Sequence, residues 1–192
     1  VIIRSRRLPH LDVIGHPQFI TFRLHGSLPA NRTFHGSTLP SGAAFIAMDR
    51  LLDQSRIGSV FLRHPEIAQI LVASLEHGVE IGHYDLHRWV ILPNHVHLLI
   101  TPHVHLPQLL RRLKTWTARQ SNVILGRAGC PFWQDESYDR LVRSQNEFRR
   151  IVLYIDNNPV AAGLCATPEE YPWSSAGRAG SPPQASGLPH MA

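Results

Sequence analysis

Two imidazoles sit one pleat apart in the run Ile91-Leu-Pro-Asn-His-Val-His-Leu-Leu-Ile100. After the Pro93-Asn94 turn signal, His95, His97 and Leu99 alternate with Val96, Leu98 and Ile100, the two-residue period of a strand. One face of that strand is apolar, and the other carries a pair of nitrogen donors. Burying two such rings without partners costs a few kcal/mol, so they are hydrogen-bonded, reach solvent, or hold a ligand. The ligand chemistry open to them is a divalent cation, and by donor type alone zinc is suitable.

A second candidate group lies near the C-terminal end. Ser144-Gln-Asn-Glu147 has the spacing of a capping box, and Phe148, Ile151, Val152 and Ile155 follow at i, i+3, i+4 and i+7. On that helix Tyr154 and Asn158 fall about 40° apart on the flank of the apolar stripe, one turn from each other. Pro159 disfavours helical geometry at Asn158, so the stacking requires a helix that persists that far.

The remaining elements must position these two groups. Phe19 to Leu24 reads as a first strand, residues 26 to 40 as loop, and Ala43 to Gln54 as a short helix. Arg63 to Glu76 reads as a firmer helix with Gly78 just past its end. Val79 to Leu92 and His95 to Thr101 make a hairpin about Pro93-Asn94. A helix over about 106 to 125 turns Leu106, Leu109, Leu110, Leu113, Trp116 and Ile124 inward and Arg111, Arg112, Lys114 and Arg119 to solvent. A short strand is expected around Tyr138 to Val142. The order predicts an α+β fold, a ferredoxin- or RRM-like antiparallel sheet with a βαββαβ core plus a C-terminal helix carrying Tyr154.

With 192 residues, 43% of them hydrophobic, the chain suffices for one domain over 1–176. Residues 1–17 read as an irregular basic arm containing Arg6 and Arg7, and 177–192 as a disordered tail. The net charge of +5 is carried by a few arginine clusters, which favours a polyanionic partner. Cys130 and Cys165 lack CxxC spacing, which fits a reducing compartment. No apolar run approaches a membrane span, so a cytoplasmic protein is expected.

Several motifs occur together and in order: Trp89-Val-Ile-Leu-Pro-Asn-His-Val-His-Leu-Leu-Ile100, Tyr154-Ile-Asp-Asn-Asn-Pro-Val-Ala-Ala-Gly-Leu164 and Tyr171-Pro-Trp-Ser-Ser175. With the opening Arg-Arg-Leu-Pro-His and Phe-Ile-Thr-Phe-Arg-Leu-His-Gly-Ser-Leu-Pro, the chain resembles the HUH single-tyrosine transposases, and within them the REP-associated group, over residues 6 to 176. The resemblance implies a metal-dependent endonuclease and strand transferase acting on single-stranded or hairpin DNA. By position, Tyr154 is the implied nucleophile, His95, His97 and Asn158 the implied ligands of Mg²⁺ or Mn²⁺, and Lys114 a phosphate contact. Arg111, Arg112, Arg119, Arg6 and Arg7 are the expected further DNA contacts, and Trp133 and Trp173 are candidates to stack bases. A monomer is favoured over a homodimer. Arg140 departs from the pattern, standing where similar sequences carry histidine. Two other readings remain: a hairpin-binding regulator that does not cut, and a zinc-dependent hydrolase using His103 or His105 as a third ligand.

A phenol with pKa about 10 is only about a thousandth ionised at neutral pH, a deficit of roughly 4 kcal/mol that a nuclease site must offset.

Overall fold

The histidine run lies inside a four-stranded antiparallel sheet. A computed structural model describes residues 2–5, 9–28, 52 and 58–178. In chain order the strands are Ile2–Ser5 (β1), Pro9–Asp12 (β2), Gln18–Arg23 (β3), Tyr84–Ile91 (β4), His95–Pro102 (β5) and Tyr138–Leu141 (β6). The long helices among the described residues are Pro65–Glu80 (α1), Leu106–Ile124 (α2) and Gln145–Ala161 (α3).

The sheet order is β4-β5-β3-β6, with every neighbouring pair antiparallel. Two split β-α-β units follow from it: β3 and β4 are parallel across β5, and β5 and β6 are parallel across β3. The histidine strand is therefore interior, and all eight of its residues are buried.

Side-chain alternation divides the core in two. Val96, Leu98 and Ile100 pack with Ile67 and Leu71 of α1 and Leu109 and Leu113 of α2. On the opposite face, Leu99, Val90 and Phe19 pack with Phe148 and Ile155 of α3. Each such side chain contributes roughly 1.5–3 kcal/mol on burial, so both faces hold the sheet in place. The histidine face is thus roofed by the helix that carries Tyr154.

Several elements differ from the expectation. Part of the N-terminal segment is regular: β1 and β2 pair antiparallel, with Pro9 at the end of the ladder opposite Ser5, where its missing N–H costs little. Asp12 then accepts hydrogen bonds from His105 Nδ1 at 2.8 Å and the Leu106 backbone N–H at 3.1 Å, capping α2. Helix α1 runs on to Glu80, and Gly78 lies within it rather than beyond its end. The Tyr84 ring fills the space where a Gly78 Cβ would be, and its hydroxyl donates to Leu75 O at 2.8 Å.

Trp116 and Ile124 are not core residues but 54% and 43% exposed. The buried stripe of α2 continues instead through Thr117 and Ser121. Thr117 is accommodated because its hydroxyl donates to Leu113 O at 2.8 Å and accepts from Trp133 Nε1 at 2.9 Å.

Helix α3 continues through Pro159 to Ala161 and turns out at Gly163, whose φ of 69° suits glycine. Beyond it, residues 171–175 run along the outer edge of β4. Ile91 N–H donates to Trp173 O at 2.8 Å, Ser175 N–H to Trp89 O at 3.0 Å, and the Tyr171 hydroxyl to Ile91 O at 2.9 Å. The Tyr-Pro-Trp-Ser-Ser motif thereby covers a sheet edge. The helix expected over 43–54 lies outside the described residues apart from Leu52, as do Arg6, Arg7 and the tail from 179 onward.

Candidate metal centre

Strand register sets the first layer of the site. Thr21 lies opposite His97, Arg23 opposite His95 and Phe19 opposite Leu99, while Tyr138 on β6 faces Thr21 from the other side. Directly opposed residues share a sheet face, so Tyr138, Thr21 and His97 form a row beneath α3. His95 and His97 are completely buried.

Hydrogen bonds orient both rings. The Asn94 amide nitrogen donates to Leu52 O at 2.9 Å, which leaves its Oδ1 to accept from His95 Nδ1 at 2.6 Å. His95 is therefore protonated on Nδ1 and presents a lone pair on Nε2. His97 Nδ1 lies 2.7 Å from Thr21 Oγ1. The two Nε2 atoms face each other at 3.2 Å.

This donor set fits a divalent cation. Two nitrogens bound at about 2.1 Å with angles between octahedral and tetrahedral stand about 3.0–3.4 Å apart, which brackets the observed separation. Each imidazole also has a partner on its far nitrogen, as metal-binding histidines do. Asn158, 4% exposed on α3, is an oxygen donor one turn beyond Tyr154.

Tyr154 comes to the same place. Its ring centroid is 5.6 Å from that of His97, with 65° between the planes. Phe19 stacks on His97 at 5.5 Å and meets Tyr154 edge-on at 6.0 Å, so one phenyl ring spaces both. Helix α3 is fixed at two points. Ser144 Oγ accepts from the Glu147 N–H at 3.2 Å, while Glu147 accepts from Arg143 N–H at 2.9 Å and pairs with Arg140 at 2.6 Å. Further along, Arg88 on β4 pairs with Asp156 at 3.4 Å. Burial pushes the Asp156 carboxyl up, with Arg88 opposing the shift. Arg140 thus ties β6 to the start of the tyrosine helix.

The expected DNA contacts on α2 do not join this cluster. Arg111, Arg112 and Arg119 are exposed on α2, which covers the other sheet face. Lys114 is not a solvated side chain: its ammonium donates to the Gln134 and Asp135 carbonyls, and burial lowers its pKa to about 8. It lines a groove of about 910 Å³ with Arg111, Phe132, Trp133, Asp135 and Asp139. Trp133 is 6% exposed, and the partly buried Trp173 packs against the core. His103 lies 3.2 Å from Asp85, and His105 is held by Asp12. Among the described residues no group of three or more His, Cys, Asp or Glu is gathered to hold a metal.

Four residues near the pair escaped the reading of the sequence as site residues: Asn94, Thr21, Phe19 and Arg23. Only Asn94 adjoins the histidines in the chain; the other three arrive through strand pairing. Arg23 donates to Ser27 Oγ at 3.1 Å, and burial lowers its pKa, with Glu136 opposing.

A four-stranded α+β sheet with paired imidazoles on its interior strand, roofed by a tyrosine-bearing helix, defines the class of domain. Among solved structures, the chain is similar to a REP-associated tyrosine transposase bound to a REP hairpin. The match has 19% identity, covers 98% of this chain and 99% of that one, and has a TM-score of 0.61. The two share a fold. A candidate transposase from Deinococcus radiodurans R1 matches at 16% identity over 81% of this chain and 96% of that one, with a TM-score of 0.38, too low to carry an argument. No family model and no curated protein matches the chain. No helix among the described residues is long and apolar enough to cross a membrane.

Proposed function

We propose that this protein is a divalent-metal-dependent endonuclease and strand transferase that cuts single-stranded or hairpin DNA through Tyr154. The observation that carries the reading is the Tyr154 ring lying 5.6 Å from that of a buried histidine paired Nε2 to Nε2 with a second one. The shared fold with a hairpin-bound transposase supports the substrate class.

In this reading His95, His97 and the Asn158 amide oxygen hold Mg²⁺ or Mn²⁺. A cation held there would supply charge neutralisation at the scissile phosphate, which would offset the poor ionisation of a phenol. Tyr154 Oη forms a bond to phosphorus and gives up its proton. The bond from phosphorus to the 3′ oxygen breaks, and that oxygen gains a proton to leave as a 3′-hydroxyl. The resulting 5′-phosphotyrosine conserves the ester, so a 3′-hydroxyl of another strand can reverse the step. Phe19 holds the phenol and the His97 ring at a fixed spacing, and α3 is pinned by Arg88 and Arg140. The exposed stripe Arg112, Trp116 and Arg119 on α2 offers cations around an aromatic face, a surface suited to backbone and base contact. The protein acts as a monomer.

Complete burial of both imidazoles favours one second reading, a hairpin-binding protein that does not cut. Incubation with an end-labelled single-stranded hairpin and Mn²⁺ separates the two. A denaturant-resistant protein-DNA adduct that is absent in Tyr154→Phe is expected; hairpin binding with no adduct at any Mn²⁺ concentration overturns the nuclease.

A further inference from the structure

We propose that Asn94 and Thr21 are positioning residues that set where the protons sit on the two imidazoles, and that the Thr21 hydroxyl reverses its hydrogen-bonding role when a cation enters. The inference rests on the reading that His95 and His97 bind a cation.

The two ends of the pair are built differently. Asn94 has one arrangement only. Leu52 O can only accept, so the amide nitrogen must face it at 2.9 Å and Oδ1 must face His95, fixing the proton on His95 Nδ1. Asn94 is 3% exposed, which shields both bonds from bulk solvent. Thr21 is a hydroxyl and can donate or accept, so His97 Nδ1 at 2.7 Å is compatible with either tautomer.

The 3.2 Å separation of the Nε2 atoms chooses between these states. With His95 Nε2 bearing a lone pair, a second lone pair on His97 Nε2 at that distance is repulsive unless something positive lies between. Without a cation, the positive partner is a proton. His97 then carries it on Nε2 and donates to His95 Nε2, while the Thr21 hydroxyl donates to His97 Nδ1. With a cation, both Nε2 atoms must offer lone pairs. The His97 proton is then on Nδ1 and is donated to Thr21 Oγ1. The exchange moves one proton from one nitrogen of the His97 ring to the other. Thr21 thus makes both states available, whereas an aliphatic residue at this site satisfies neither.

The test uses the full chain and has two readouts apart from cleavage. Mn²⁺ affinity is measured from the electron paramagnetic resonance signal of free Mn²⁺. We expect Thr21→Val to weaken binding by about 10- to 100-fold, the range for losing such an outer partner, and Thr21→Ser to restore it to near wild type. Asn94→Asp, which keeps the acceptor toward His95, retains affinity even where it folds less stably; Asn94→Leu does not. Nitrogen-15 spectra of labelled histidines, with and without Mg²⁺, are expected to show the His97 proton moving from Nε2 to Nδ1 while His95 stays protonated on Nδ1. An unchanged His97 tautomer, or a folded Thr21→Val protein with wild-type Mn²⁺ affinity, overturns the inference. If wild type binds Mn²⁺ with these signatures yet forms no DNA adduct, the nuclease reading falls and this one stands. If wild type forms the adduct but Thr21→Val binds Mn²⁺ equally well, only this one falls. No affinity for either cation overturns both.

Discussion

The Tyr154 ring stands edge-on to the His97 imidazole, centroids 5.6 Å apart, and Phe19 touches both. The phenol comes from α3 and the imidazole from β5, so the contact exists only because the helix lies across the histidine face. Any role for Tyr154 in chemistry depends on its hydroxyl, whereas its packing depends on its ring.

Tyr154→Phe keeps the ring and removes the hydroxyl. The variant should unfold within about 1 kcal/mol of wild type, the usual net worth of one hydrogen bond. It should bind a DNA hairpin as tightly and yield no covalent adduct. Urea unfolding, a binding titration and a denaturing gel of the same preparation check the three expectations together.

Lys114 gives a pH signature of stability. Burial lowers its folded pKa to about 8 from an unfolded value near 10.5. Between those values the unfolded chain binds more protons, so this residue's contribution to stability rises with pH across the window. Below about 8 the ammonium is charged in both states and the cost of burying it is constant. Lys114→Met should flatten the rise between pH 8 and 10 while loosening the loop whose Gln134 and Asp135 carbonyls it holds. Above pH 10 the trend turns, because burial raises Tyr138 and pushes Tyr171 up to about 12, so the unfolded chain ionises first. Unfolding midpoints of both proteins across this range carry the comparison; parallel curves would refute it.

Gly78 is a packing position. A methyl group there meets the Tyr84 ring, which is fixed by its hydrogen bond to Leu75 O. Gly78→Ala should therefore destabilise by about 1–3 kcal/mol, although alanine is the better helix former. A stabilised variant in thermal unfolding would mean the ring is free to move.

The α2 surface should show itself in salt dependence. Replacing Arg112 and Arg119 together by alanine should reduce the slope of log affinity against log salt by about 1.4, at roughly 0.7 per phosphate contact on a single strand. Trp116→Ala should cost about 1–3 kcal/mol of binding to an unpaired segment and little for a blunt duplex. Its 54% exposure predicts a small effect on folding stability. Binding measured from low to high salt with both DNA forms distinguishes a stacking contact from a bystander.

Local pattern determined much of this protein. Alternation in 95–100 marked the strand, the Ser144-Glu147 spacing marked the start of α3, and the leucine stripe marked α2 to within a residue. These signals are legible because period and capping act over one or two turns of chain. Which residues meet was decided elsewhere. Trp116 reads as core by its period, yet the stripe against the sheet follows Thr117 and Ser121, since Trp133 supplies the partner that makes a buried threonine tolerable. Gly78 reads as a helix end, yet a tyrosine six residues on needs its empty space. Thr21 and Phe19 carry no signal of their own in the sequence. They reach His97 through the register of β3 on β5, and register is a property of two strands brought together by the whole core.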